Sequence, residues 1–361
     1  MRWIDGLRLA PAVMAARITG ITPFKVLLAV TDRCESRCGH CKAWQRTPGD
    51  ELRPDEIARL LGQWPLLRWV DISGGEPTSR PDAPDVADAV ALSARRLAFL
   101  HFATNGSNPA AALDFARRLV VAGGPPVVVT VSLDGDEEIH DRMRGVKGAF
   151  ARAVETAAAL ARMDRVDVYA GTTVTPLNLP HLGRIRDALA RALPNVVPDR
   201  WHVNLMNRSG HFFGNLDLPP MATGDVLEAV RIVEGLRPPS GDPFSWVEHL
   251  FLRNLRLHTL SGRAPVPCEA LRASVFVGPG GDVFPCHIRG PSVGNVRDSG
   301  LRIDRVLAGP LARLERARID CRGCDDCWTP CEAYPSMASH PFHAARAGLT
   351  VSRDSNRFRS R

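Results

Sequence analysis

Three cysteines lie within one short run, Cys34-Glu-Ser-Arg-Cys38-Gly-His-Cys41, directly after an apolar stretch that reads as a strand. Clustered thiolates bind zinc or iron–sulfur clusters. A four-iron, four-sulfur cluster is normally held by four thiolates, so a set of three leaves one iron open to a small molecule. Zinc is the alternative, but structural zinc takes four ligands and its cysteines commonly pair as C-x2-C. His40 could complete such a set by type, provided its side chain turned into the same tight loop.

Further groups of small polar residues follow the next apolar runs. Asp71-Ile-Ser73-Gly74-Gly75-Glu76-Pro77 ends the second of them. Its glycines let backbone approach a ligand closely, and exposed carbonyls beside Glu76 would accept from an ammonium group. Thr104-Asn105-Gly106 and Ser132-Leu-Asp134-Gly135 close the third and fourth runs, at the strand ends where α/β proteins collect ligands. His140-Asp-Arg142-Met-Arg144-Gly145 follows, with arginines whose planar forks match carboxylates.

The elements that must position these groups alternate along the chain. Candidate strands are Lys25–Thr31, Trp69–Ser73, Leu97–Thr104, Val127–Leu133, Val166–Val174 and Trp201–Leu205. Helical stretches fall near Pro54–Trp64, Pro84–Arg96, Pro109–Ala122, Gly148–Met163 and Pro180–Leu193, several opened by proline, which suits a first helical turn. This α/β alternation implies parallel pairing through βαβ crossovers. Periodicity leaves an open doubly wound sheet and a partial barrel as equal alternatives. After about Gly210 the rhythm stops, and two helical segments, near Val226–Leu236 and Phe244–Leu260, lead to six more cysteines.

Taken together, the C-x3-C-x2-C run, the Gly-Gly-Glu-Pro loop and the later strand-end loops resemble those of the radical S-adenosylmethionine (SAM) enzymes. The family usually has an aromatic residue where this chain has His40. The resemblance covers roughly residues 25–210 and implies a partial (β/α)6 TIM barrel whose Cys34, Cys38 and Cys41 hold a 4Fe-4S cluster with SAM on its open iron. It implies that Ser73, Gly74, Gly75 and Glu76 meet the methionine amine, that Asn105, Ser132 and Asp134 meet ribose or methionine, and that Arg144 meets the carboxylate. Thr173–Asn178 is a weaker candidate for adenine or ribose. The activity implied is reductive SAM cleavage to a 5′-deoxyadenosyl radical that abstracts hydrogen from an unactivated carbon, fed by an external flavodoxin- or ferredoxin-like donor.

The later cysteines are Cys268 and Cys286, which flank an apolar hairpin at Ser274–Pro285, followed by Cys321, Cys324, Cys327 and Cys331. This segment resembles the SPASM and twitch extensions that carry auxiliary 4Fe-4S clusters behind a radical SAM core. The two-cluster version has a wider gap before the third cysteine of its last group and another cysteine beyond, so one auxiliary cluster is expected here, on Cys268, Cys286 and two of the last four. A second would need Asp325, Asp326, His340 or His343, and a zinc knuckle is the structural alternative. His287 follows Cys286 where related anaerobic sulfatase maturases carry an aspartate proposed as a base. The matching role for His287 would be catalytic, with donation toward cluster sulfur as the alternative. His202, His211, Phe212 and Phe213 are expected as core and loop rather than cavity.

The expected division is an N-terminal extension (1–24), a radical SAM core (25–240), a SPASM/twitch-like domain (241–340) and a disordered basic tail (341–361). The chain has 361 residues, 45% hydrophobic and 24% charged, with a net charge of +7, ordinary values for a globular protein. Its nine cysteines, an odd count, argue against a secreted disulfide framework and for a reducing cytoplasm. No apolar run approaches the roughly 20 residues of a membrane span, and dense basic and aromatic flanks for nucleic acid are missing. The expected enzyme is an oxidoreductase or maturase acting on a peptide or protein, with a dehydrogenase or epimerase of a sugar or aminocyclitol as the alternative. A non-catalytic iron–sulfur or zinc protein would not need the glycine-rich and polar loops. The segment before Lys25 is short for a fused leader-recognition domain, so a peptide substrate would call for a separate leader-binding partner or another binding surface.

Overall fold

Proline-opened helices and strands of alternating polarity follow one another as the sequence leads one to expect. The computed structural model describes residues 3–197, 200–237, 243–320 and 327–346. Helix α1 (Trp3–Thr19) precedes β1 (Lys25–Ala29), after which come α2 (Pro54–Gly62), β2 (Trp69–Ser73), α3 (Ala83–Ala91) and β3 (Phe99–Thr104). Next are α4 (Pro109–Leu119), β4 (Val127–Ser132), α5 (Glu137–Arg144), α6 (Ala149–Leu160), β5 (Val166–Val174), α7 (Leu182–Ala192) and β6 (Trp201–Leu205). Helices α8 (Thr223–Leu236) and α9 (Pro243–Ser261) lead to strands β7 (Ser274–Val277), β8 (Asp282–Phe284) and β9 (Gly294–Asn295). The short α10 (Ile303–Leu307), α11 (Pro310–Asp320) and α12 (Pro330–Ser339) complete the described fold.

The sheet runs β6-β5-β4-β3-β2-β1-β7-β8-β9. Strands β1 to β6 lie in chain order and are all parallel. A doubly wound sheet reverses its order at a switch point; this one does not, which decides for the singly wound partial (β/α)6 barrel. Strand periodicity sorts the side chains. Val70, Ile72, Leu100, Phe102, Val129, Val131 and Val168 face outward and are buried with Leu60, Val90, Phe115 and Leu160 of the helical layer. The alternate positions, including Asp71, His101, Thr130, Gly171 and Thr173, face a lumen inside the barrel.

Strand β7 pairs in parallel with β1, and the β7–β8–β9 meander continues the same sheet. The hydrophobic core is continuous from Val26 to Ala344, and α8 and α9 pack on each other across the 240/241 division expected from sequence.

Two helices lie outside the stretches listed from the sequence, and one expectation needs correction. The N-terminal extension carries α1, with Ala12, Val13 and Ala16 buried against Phe24 and Ala273. Residues 140–144 belong to α5, whose start is capped by Asp136 accepting from the Ile139 amide at 3.1 Å. Of the tail expected to be disordered, residues 341–346 are helical with Ala344 buried; residues 347–361 lie outside the described residues. No described helix is long and apolar enough to cross a membrane.

Candidate cofactor site and barrel lumen

The cysteine loop follows β1 and is tied down on two sides. Arg37 and Gly39 amides donate to the Arg144 and Met143 carbonyls at 2.8 and 3.3 Å, docking the loop on the end of α5. That helix ends at Gly145 with φ 63°, where a Cβ would stand 2.7 Å from the Arg37 carbonyl oxygen. On the other side Asn105 Nδ2 reaches Ser36 Oγ at 3.1 Å, Glu35 Oε1 at 3.2 Å and Cys34 Sγ at 3.9 Å. Cys34, Cys38 and Cys41 thereby line one cavity of about 190 Å³ together with His40, Ser73, Gly74, Gly75, Glu76, Asn105, Ser132 and Arg144. Burial pushes the Cys34 thiol up to about 12, with Glu76 adding repulsion, so a metal centre must displace these protons. A single zinc ion would need its sulfurs about 4 Å apart. One thiolate per iron of a cluster asks for wider spacing.

The Gly-Gly-Glu-Pro loop lies hard against the cysteine loop. Gly75 donates to the Thr31 carbonyl at 2.8 Å and Glu76 to that of Arg33 at 2.7 Å. A Cβ on Gly75 would meet the Arg33 carbonyl oxygen at 2.2 Å, and one on Gly74, at φ +134°, the Thr31 oxygen at 2.4 Å. Only glycine permits this approach. Glu76 is not free in the way its sequence position suggested. Its carboxylate accepts from Thr104 Oγ1 at 2.9 Å, the Asn105 amide at 2.7 Å and Thr78 Oγ1 at 2.7 Å, knotting the ends of β2 and β3. Burial pushes it up to about 7, against those hydrogen bonds and with help from Glu35. An arriving ammonium group would favour its charged form.

Arg144 and Asp134 form a buried pair, Nη2 to Oδ2 at 2.6 Å, with Arg144 Nη1 3.7 Å from Cys38 Sγ. Asp134 also accepts from the Thr173 amide at 2.8 Å. Burial alone would raise its pKa, but Arg144 holds it below the ordinary range. Asp134 therefore positions Arg144, which lines the cavity, whereas the sequence had offered Asp134 itself as a contact. Asn178 is spent in the same knot, donating to the Asp134 and Thr173 carbonyls at 2.9 and 3.0 Å.

In the C-terminal segment Cys268, Cys286 and Cys327 line one small cavity, and Cys286 Sγ accepts from the Ile288 and Arg289 amides at 3.4 and 3.2 Å. Cys331 instead lines the barrel lumen. Cys321, Cys324, Asp325 and Asp326 lie outside the described residues. His340 is paired with Glu269 at 2.6 Å, and His343 packs edge-on against it.

Residues 28–191 match the family model of the radical SAM superfamily, and residues 268–328 match that of SPASM, an iron–sulfur cluster-binding domain. The chain carries a radical SAM domain followed by a SPASM domain. Its cofactors are a 4Fe-4S cluster, SAM and at least one auxiliary iron–sulfur cluster, and it is an enzyme of the maturase-like branch that carries a SPASM domain. Among similar proteins is the mycofactocin maturase MftC of Mycobacterium ulcerans, 29% identical over 84% of this chain and 80% of that protein. The AdoMet-dependent heme synthase of Methanosarcina barkeri is 30% identical over 52% of each chain. The structure of native anSMEcpe with bound AdoMet and Cp18Cys peptide shares the fold at 14% identity, with a TM-score of 0.59 over 91% of this chain and 99% of that one.

Beneath the cofactor cavity of this radical SAM chain lies the lumen, about 270 Å³, walled by Trp69, Phe99, Val128 and Tyr169. Four polar groups to which the sequence reading gave no role converge there. Asp71 Oδ1 stands 3.3 Å from His101 Nδ1, and His101 Nε2 lies 2.9 Å from Thr130 Oγ1. Lys25 pairs with Asp71 at 3.1 Å and donates to the Cys331 carbonyl at 2.5 Å. The signal was available: each is a polar residue at an inward position of an otherwise apolar strand. His202, expected in core or loop, lines the same lumen 3.2 Å from Glu248, which also bonds Tyr334. Phe212 and Phe213, given the same expectation, line the cofactor cavity, and His211 stacks on Phe284 at a neighbouring opening. His287 is buried edge-on against both Phe212 and Phe213, and burial pushes it down to about 3.

Proposed function

We propose that this chain is a peptide or protein maturase, an oxidoreductase that dehydrogenates or cross-links its substrate by radical chemistry. One observation carries the reading. The cofactor cavity and the lumen share Ala103, Ser132 and Thr173 as a common wall, while Cys331 of the C-terminal group lines the lumen itself. A group held in the lumen thus lies between the cofactor cavity and the auxiliary cysteines. The maturase relative spans most of this chain, the heme synthase about half.

When bound, cluster and SAM supply hydrogen-atom abstraction from an unactivated carbon. The chain's own residues would arrange it. Cys34, Cys38 and Cys41 would hold the radical cluster, and the Ser73–Glu76 loop would cradle the methionine amine. Arg144, fixed by Asp134, would hold the carboxylate. Asn105 braces the cysteine loop, and Ser132 and Thr173 would face the ribose side. Cys268, Cys286 and Cys327, completed from Cys321, Cys324 and Cys331, would hold the auxiliary cluster. Residues 25–240 and 241–340 would then be the radical and auxiliary units. A flavodoxin- or ferredoxin-like donor in the cytoplasm and a separate leader-binding protein belong to the same reading. A lumen of about 270 Å³ also suits a small sugar-like molecule, which keeps the dehydrogenase or epimerase alternative.

The test is anaerobic reconstitution, an iron count, then SAM, dithionite and a synthetic peptide library read by mass for loss of two hydrogens. The reading expects about eight irons, four per cluster, 5′-deoxyadenosine that disappears in the Cys34/Cys38/Cys41→Ala variant, and a dehydrogenated peptide. Zinc without iron or cleavage would sink the enzyme. Cleavage with no altered peptide would move the substrate to small molecules.

A further inference from the structure

We propose that His101, oriented by Asp71, is the catalytic base that takes the substrate's proton during oxidation, a proposal that rests on the oxidative reading above. Asp71 and His101 are direct cross-strand partners on β2 and β3, and Thr130 on β4 is the diagonal neighbour within side-chain reach. The carboxylate is anchored three ways: by the Lys25 ammonium, by Trp69 Nε1 donating at 2.7 Å, and by His101 Nδ1. Lys25 balances the charge of Asp71 at 3.1 Å. A carboxylate at Nδ1 holds the proton on that nitrogen and leaves Nε2 as the acceptor. Nε2 faces the lumen side of the strand beside Thr130. Ser132 of the cofactor cavity stands two residues farther along the same face, about 7 Å by strand rise.

A carbon held between the two levels can therefore lose a hydrogen atom upward and a proton downward. After abstraction the substrate is a carbon-centred radical with a neighbouring X–H bond. Breaking that bond sends the proton to His101 Nε2 and one electron to the auxiliary iron–sulfur cluster, and the remaining pair closes the C=X bond. The other titratable groups on the lumen are Tyr169, His202 paired with Glu248, which Arg237 also holds at 3.2 Å, Tyr334 bonded to Glu248, and Cys331. His202 is thus a second histidine on a neutralised carboxylate, but it stands on β6, whereas β3, which carries His101, also lines the cofactor cavity through Ala103 and Thr104. His287 is buried against Phe212 and Phe213, within electrostatic reach of Lys25, Asp71 and His211.

Two measurements decide it. In the reconstituted full chain without substrate, nitrogen-15 NMR assigned by His101→Gln should show the neutral tautomer of His101 that carries its proton on Nδ1. A neutral tautomer with the proton on Nε2 would overturn the proposal. With a peptide that wild type dehydrogenates, His101→Gln should lower the ratio of oxidised peptide to 5′-deoxyadenosine by about 100-fold, the low end of a positioned base, and a substrate radical should accumulate in the EPR spectrum. An unchanged ratio would overturn it too. If wild type cleaves SAM but alters no peptide, the peptide reading has failed instead, and the NMR result alone judges His101.

Discussion

Removing the Asp134 charge should cost stability and SAM affinity together, although Asp134 is not a cavity-lining residue. The carboxylate is fully buried, and Arg144, which lines the cavity, depends on it at 2.6 Å. Asp134→Asn keeps an oxygen for the Thr173 amide but leaves the guanidinium buried and uncompensated. Breaking a buried pair from one side typically costs about 3–5 kcal/mol. With a urea slope of about 3 kcal/mol/M, the midpoint should fall by about 1–2 M. Arg144→Met alone should also destabilise, by stranding the carboxylate, whereas the double variant should cost clearly less than the sum. A coupling of about 2 kcal/mol or more is expected for groups in direct contact. The assay is anaerobic urea unfolding of all four proteins, with SAM binding to each by calorimetry. Additive single costs would refute the pair's role. Weaker SAM binding by Asp134→Asn at unchanged stability would restore Asp134 as a direct contact, as the sequence alone had suggested.

Other consequences are sharp enough to measure. Gly75→Ala places a Cβ 2.2 Å from backbone oxygen that cannot yield, so SAM binding should vanish while the circular dichroism of the barrel persists. Glu76, pushed up to about 7 from 4.5, binds its proton more tightly folded than unfolded. Relative to Glu76→Gln, the cluster-free wild type should lose up to about 3 kcal/mol of stability as pH rises from about 4.5 to 7; a gain over that window would contradict the burial reading. Cys268→Ser or Cys286→Ser should remove about four of eight irons and leave 5′-deoxyadenosine formation in place, measured by iron assay and chromatography. Loss of cleavage in those variants would place both cysteines at the radical centre instead.

Much of this molecule could be read before its structure was known, and the limits have physical causes. Strands Trp69–Ser73, Val166–Val174 and Trp201–Leu205 end where their apolar alternation ends, because one face meets helices and the other a lumen. Helix starts followed from proline, as at Pro109, where the structure adds the Asn108 cap accepting from the Ala111 amide at 3.1 Å. Helix α1 was missed because Pro11 interrupts its pattern and its burial depends on Phe24 and Ala273. Helix α5 was missed because it is short and mostly charged, and its packing on the cysteine loop is tertiary. The barrel's hand over the doubly wound sheet rested on resemblance, since strand order is a long-range property that local periodicity cannot carry.

The roles within the site divide along the same line. Types and spacing pointed to the loops that meet around the cofactor cavity, but not to which side chains are spent holding those loops together. Glu76, Asp134 and Asn178 all look like ligand contacts in sequence, and all three also hold neighbouring strand ends together by hydrogen bonds or ion pairs, with Glu76 alone of the three lining the cofactor cavity. The reverse error concerned the strand interiors. Trp-Val-Asp-Ile-Ser, Phe-Leu-His-Phe-Ala-Thr and Val-Val-Val-Thr-Val-Ser read as buried strands in which one polar residue is a blemish. Burying such a group without a partner costs several kcal/mol, so a polar residue kept at an inward position must be matched by others on adjacent strands. Asp71, His101 and Thr130 satisfy one another in this way. Strand ends carrying the cofactor loops, with matched polar groups one inward step below, are what the alternation of a singly wound barrel produces when its lumen is to hold a reacting substrate.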